Sequence, residues 1–228
     1  VVYHPDKNPE GHDHFQKIHK AYDFLRSPES SKSGPRQWVI LLILKAQCII
    51  FRRYPKILAP FKYAGYPLLL EAITIEDGDH RFLADDRSPV LEIATKLCWL
   101  TCVCCTLNGE ELFRSDGLAI LSNLLSRLSS ILPRDAATSF TGSRIMTYCV
   151  RTLAGLGAFE AAREAFFAKP ALVHDVMKAI KYDNAPSIVE ASVHCISQMA
   201  ASADLQDLML KLGVLWHLIP MLFDYDVS

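Results

Sequence analysis

Apolar residues recur along most of this chain at helical spacing. Phe15, Ile18, Tyr22 and Leu25 stand at i, i+3, i+7 and i+10, which is one face of a helix. Asp13 lies near the start of that stripe, where a carboxylate suits the helix dipole. Pro5 and Pro9 keep the loop before it from being helix. Residues 27–35, SPESSKSGP, interrupt the apolar pattern and read as a linker. From 36 to 223 the periodicity stays near 3.6, so this stretch is expected to be almost wholly helical, stacked side by side in a curved array without a sheet.

The second stretch is repetitive. Gly65 in YAGYPLLLEAI, Gly117 in SDGLAILSNLL, Pro170 in AKPALVHDVMKAI and Gly213 in KLGVLWHLIPML punctuate it at intervals of 52, 53 and 43 residues. That range is close to the roughly 40–47 residues of armadillo and HEAT units. Each punctuation residue precedes an amphipathic helix and follows two earlier helical segments. The segment PSIVEASVHCISQMAASADLQDLMLKLGVLWHLIPMLF resembles an armadillo repeat, with a Gly turn before its last helix. Cys48, Cys98, Cys149 and Cys195 fall 17 to 21 residues before the punctuation site of their unit. A small apolar residue recurring there is expected where the middle helices of stacked repeats pack closely. The fold class predicted is therefore all-α.

Half of the residues are hydrophobic and the formal net charge is −1. Low net charge argues against a dedicated nucleic-acid binder. Charge is unevenly spread, +6 over residues 1–62 and −7 over the remainder, which suggests two modules. The longest apolar run, WVILLILKAQCIIF, is broken by Lys45 and Gln47 and falls short of the roughly 20 residues a membrane span needs. Seven cysteines invite a disulfide or zinc reading. Four of them, Cys98, Cys102, Cys104 and Cys105, lie in LEIATKLCWLTCVCCTL, which shows no Gly or Pro to turn the chain. They are expected as reduced thiols buried on one helix, in a cytosolic setting, and not as metal ligands.

Near the start of the chain, Tyr3-His4-Pro5-Asp6-Lys7 is followed by FQKIHKAYDFL. This resembles the second half of a J domain, the module of DnaJ-type co-chaperones. In that family a helical hairpin presents His-Pro-Asp on the loop between its second and third helices. The resemblance implies that His4, Pro5, Asp6 and Lys7 contact a partner chaperone. It also implies that Tyr3, Phe15, Ile18, Ala21, Tyr22 and Leu25 form the inward face of the helix and loop. The family's first helix and nearly all of its second would lie upstream of Val1. The chain, which opens in mid-motif without Met, is expected to be a piece of a longer protein. Ser27-Pro28-Glu29 stands where the family usually carries Arg-x-x-Tyr-Asp. A metal site on His4, His12, His14 and His19 lacks a Cys or carboxylate framework, and a catalytic His4–Asp6 pair lacks a Ser or Cys nucleophile.

The organisation expected is thus the C-terminal half of a J domain over 1–26, a linker over 27–35, and an armadillo/HEAT-like α-solenoid over 36–228. With LAPFKYAGYPLLLEAITIE, residues 58–76, this combination resembles the large endosomal DnaJ-like subfamily C proteins of receptor-mediated endocytosis. The resemblance implies a co-chaperone that recruits a heat-shock-cognate chaperone ATPase to early endosomes. There it would act on clathrin, sorting-nexin and other endosomal coat proteins, and its membrane association would come from regions outside this chain. Neither a cofactor nor catalysis by the chain itself is expected. The other reading is an interaction scaffold in which the truncated J segment is inert.

Overall fold

A computed structural model describes residues 33–224, apart from 77, 80, 85 and 86. The described residues form α-helices, with one 3-10 turn and no strand. Compactness divides the chain into 1–43 and 44–228, and the helical core belongs to the second unit.

Twelve α-helices occur in the described residues, and from residue 44 they fall into groups of three. The first group is α1 (Ser33–Arg53), α2 (Pro55–Leu58) and α3 (Tyr66–Ile73); α1 opens inside the stretch read as linker. The second is α4 (Ser88–Cys104), α5 (Thr106–Arg114) and α6 (Gly117–Ile131). The third is α7 (Thr141–Gly157), α8 (Glu160–Phe167) and α9 (Pro170–Lys178), closed by the 3-10 turn Ala179–Lys181. The last is α10 (Pro186–Met199), α11 (Ala203–Lys211) and α12 (Val214–Asp224). The punctuation sites fall just where the third helix of each group begins: Gly65 precedes α3, Gly117 and Pro170 open α6 and α9, and Gly213 precedes α12.

Local chemistry explains these starts. A proline occupies the first turn of α2, α3, α4, α9 and α10, where its fixed φ suits the helix and its missing N–H has no helical partner to lose. Gly213 takes a φ of 83°, a left-handed turn that only glycine adopts without strain, and so bends the chain by 81° between α11 and α12. Gly65 is needed for space: a Cβ there would lie 2.5 Å from the Tyr63 hydroxyl.

Long helices of successive groups pack on one another, α4 on α7 and α7 on α10. Sandwiched between two neighbours, α7 buries 12 of its 17 residues, including Ile145, Met146, Val150, Leu153 and Leu156. Each such side chain contributes roughly 1.5–3 kcal/mol when removed from water. Two of its buried hydroxyls are satisfied inside the helix, Thr147 donating to Ser143 O (2.8 Å) and Thr152 to Tyr148 O (2.7 Å), while the buried Ser143 hydroxyl has no partner among the described residues. The remaining helices close the core through Leu121, Leu125 and Leu128 on α6, Phe166 on α8, and Val173, Val176 and Met177 on α9.

Cys48, Cys98, Cys149 and Cys195 are all buried, one on each long helix, as the spacing predicts. The rest of the cysteine cluster departs from expectation. Cys102, Cys104 and Cys105 are only half-buried, and Cys105 is extended at φ −156° and ψ 135°, so it breaks the apolar run into α4 and α5. Neither Gly nor Pro makes this break. Asn108 holds it, a buried side chain on α5 that bonds back to the last turn of α4.

Candidate functional site

Tyr3, His4, Pro5, Asp6, Lys7, Phe15, Ile18, Ala21, Tyr22 and Leu25, the residues of the J-like segment, lie outside the described residues. The functional geometry that can be built belongs to the helical groups.

The first element is a buried polar junction that joins the α2–α3 loop to α4 and α5. Tyr66 is enclosed at the start of α3 and its hydroxyl donates to Thr101 Oγ1 at 2.8 Å. The Thr101 hydroxyl donates to Cys98 O at 2.9 Å. Asn108, fully buried on α5, accepts from the Tyr63 backbone N–H at 2.8 Å and donates through Nδ2 to Thr101 O at 3.2 Å. That carbonyl belongs to the last turn of α4, where orphan acceptors need a partner from outside the helix. Asn108 supplies it, and so stabilises the break at Cys105. Tyr63 also donates its hydroxyl to Gln47 Oε1 at 2.8 Å, and its ring meets Phe51 and Tyr66 edge-on with centroids 5.6 and 5.1 Å away. The segment APFKYAGYP is therefore a clasp between groups.

The second element is a half-exposed row across α4, α7 and α10. Trp99 and Tyr148 stack with centroids 5.8 Å apart. Lys96 lies 5.4 Å over the Tyr148 ring and Arg151 lies 5.0 Å over Trp99. Arg151 reaches Glu190 on α10 at 3.1 Å, and Arg144 grips Glu92 with two bonds of 2.9 and 2.8 Å. Residues about 50 positions apart thus meet as alternating rings and charges. Such a face can hold an extended peptide by stacking and ionic contacts, with its rings already fixed in place.

The third element is an apolar groove of about 1180 Å³ between α10 and α12, lined by Val189, Val193, Leu215, Leu218, Ile219 and Leu222 among others. Beside it a polar hollow of about 580 Å³ is lined by Arg134, Lys181 and His217 with Asp135 and Asp183. Burial, then Lys181 and His174, hold the His217 imidazole below its usual pKa, and its Nδ1 has no partner among the described residues.

The thiols are packing groups. Burial pushes Cys48 up to about 11 and Cys195 up to about 12. Cys98 and Cys149 are driven up as well, by burial first and then by neighbouring thiols along the row of long helices. Such sulfurs stay protonated and inert at neutral pH. Among the described residues no group of three His, Cys, Asp or Glu side chains converges as a metal site, and no single helix is long and apolar enough to cross a membrane.

The clasp and the aromatic row escaped sequence reasoning, because each joins residues that local periodicity does not connect. The signal that could have found the clasp was the stretch 58–76 itself, whose two tyrosines flank a glycine ahead of a helix.

No family profile matches the chain, and no solved structure matches it. The DnaJ homolog subfamily C GRV2 of Arabidopsis thaliana is 43% identical to it over 224 residues, which is 98% of this chain. The chain spans 9% of the length of that relative. Over nearly its whole length the chain is thus similar to one stretch of a DnaJ-homolog subfamily C protein.

Proposed function

We propose that this chain is the part of a J-domain co-chaperone in which the His-Pro-Asp loop is joined to an armadillo-like scaffold. The observation that carries the reading is the 43% identity to a DnaJ subfamily C protein across nearly the whole chain, together with the intact His4-Pro5-Asp6-Lys7 sequence. In this reading the loop engages the ATPase of an Hsp70-type chaperone and promotes ATP hydrolysis. A histidine between a tyrosine and two prolines has little core to supply, so its value lies in contact. Losing one member of a desolvated, hydrogen-bonded charged set costs about 2–5 kcal/mol, enough to erase a transient complex. The three-helix groups form a solenoid that scaffolds partners, for which the Trp99–Tyr148 row is a suitable surface. The finer role we propose is at early endosomes, in receptor-mediated endocytosis, with coat and sorting-nexin proteins as clients.

The test is single-turnover ATP hydrolysis by an Hsp70-type chaperone, using the longer protein that supplies the upstream J-domain helices. His4→Gln is expected to abolish stimulation and leave the melting curve unchanged. Undiminished stimulation by the variant would refute the co-chaperone role and leave the interaction scaffold, which the half-exposed aromatic–cation row supports on its own.

A further inference from the structure

From Ser30 to Leu70 the chain has no Asp or Glu. Within the second unit that stretch holds Lys45, Arg52, Arg53, Lys56 and Lys62. Lys62 is engaged by Glu111 at 2.7 Å. Among the described residues no carboxylate pairs with the other four, and all four are exposed.

The same segment is apolar on its outer side. The last ten residues of α1, 44–53, turn Leu44 and Cys48 into the core with Phe51 beside them, and this leaves Ile49 and Ile50 on the other face. Beyond Arg53 the short α2 projects Ile57, and the turn after it projects Phe61. Ile49, Ile57 and Phe61 are 63%, 65% and 64% exposed. The α4–α5 junction extends the surface: Cys104 Sγ donates to Pro55 O at 3.2 Å, which sets exposed Val103 and Leu107 on the neighbouring element.

From this we infer that residues 45–61 form a docking patch for an anionic lipid surface. Protruding aliphatic and aromatic tips, set among four cations that no carboxylate pairs with among the described residues, combine the two attractions that hold a segment at an anionic bilayer surface, buried apolar area and charge. Arg53 lies 5.7 Å over the ring of Tyr54, a pairing of aromatic and cation suited to headgroup depth. Side chains that project from a helix and a turn enter a fluid interface readily, whereas a protein partner would need a separate pocket for each. Removing three cations from such a patch is expected to weaken partitioning at least tenfold, and added salt should weaken it too.

The experiment floats the 228-residue chain with vesicles of phosphatidylcholine, alone or mixed with phosphatidylserine. Binding is expected only to the mixed vesicles and should fall as salt rises. Arg52→Glu/Arg53→Glu/Lys56→Glu and, separately, Ile57→Asp/Phe61→Asp should each reduce it at least tenfold with helicity and melting temperature unchanged. Leu222→Asp/Phe223→Asp, at the other end of the unit, should not. Equal binding to both vesicles, no binding to either, or full binding by the two patch variants would overturn the inference. So would retention on an immobilised acidic peptide with vesicles ignored, which would point to a protein partner. If a patch variant fails to fold, the lipid and salt dependence of the unaltered chain still decides. Flotation of this chain, with no stimulation of a chaperone by the longer protein, would keep this patch and lose the co-chaperone reading.

Discussion

Replacing Asn108 with alanine tests the junction at the break between α4 and α5. Asn108→Ala deletes the acceptor for the Tyr63 N–H and the donor to the Thr101 carbonyl. A buried polar group left unpaired costs about 1–3 kcal/mol. Thr101 is fully enclosed, whereas Tyr63 is half-buried and water can answer part of its loss. The sum is therefore expected near 3 kcal/mol, or a fall of about 6–12 °C in melting temperature for a domain of this size. Circular dichroism during heating and in urea measures it. Asn108→Asp sharpens the test through pH. One carboxylate oxygen still accepts from Tyr63, but the other faces the Thr101 carbonyl, acceptor against acceptor. Burial raises the folded pKa of that carboxyl above its unfolded value near 3.9. The variant should then approach wild-type stability below about pH 4, where the protonated carboxyl can donate, and lose stability as pH rises through the folded pKa. A shift under about 0.5 kcal/mol for Asn108→Ala, or a pH-independent difference for Asn108→Asp, would refute the role assigned to this side chain.

Three further outcomes are expected. Gly65→Ala pushes a methyl to 2.5 Å from the Tyr63 hydroxyl and should destabilise by about 1–3 kcal/mol in urea melts, because that ring is held by Gln47 and Phe51. Phe166→Ala empties a fully buried site between α8 and its neighbours, and the same melts should show a loss of about 3–5 kcal/mol. Arg144→Gln breaks the bidentate pair with Glu92, but about a third of that arginine side chain faces solvent. Its loss should stay below about 1 kcal/mol and shrink further in high salt.

The three-helix recurrence was legible because glycine and proline act locally. Gly213 must supply its left-handed turn, and Pro170 fits the first turn of a helix without losing a hydrogen bond, whatever lies across the core. Burial of one cysteine per long helix followed from the same spacing. The break at Cys105 was not legible. Its neighbours favour helix, and what ends α4 is an asparagine four residues past its last helical residue, serving an amide from Tyr63. Nor does spacing join Trp99 to Tyr148, or Arg144 to Glu92, since each pair meets only when successive groups stack. The J-like segment was read from its motif, and its residues lie outside those described.

The sealed thiols on the long helices have a use beyond packing. Cys48, Cys98, Cys149 and Cys195 are buried one to a group, so a maleimide can reach each sulfur only when its own helix opens. Half-buried Cys104 and Cys105 would react first and set the scale for an accessible thiol. The chain thus carries a clock in every group, read by mass spectrometry without a single substitution. Opening in a stacked array begins where a helix has one neighbour rather than two. Labelling of Cys195 ahead of Cys149 would record fraying inward from α12, and simultaneous labelling would record one cooperative unit.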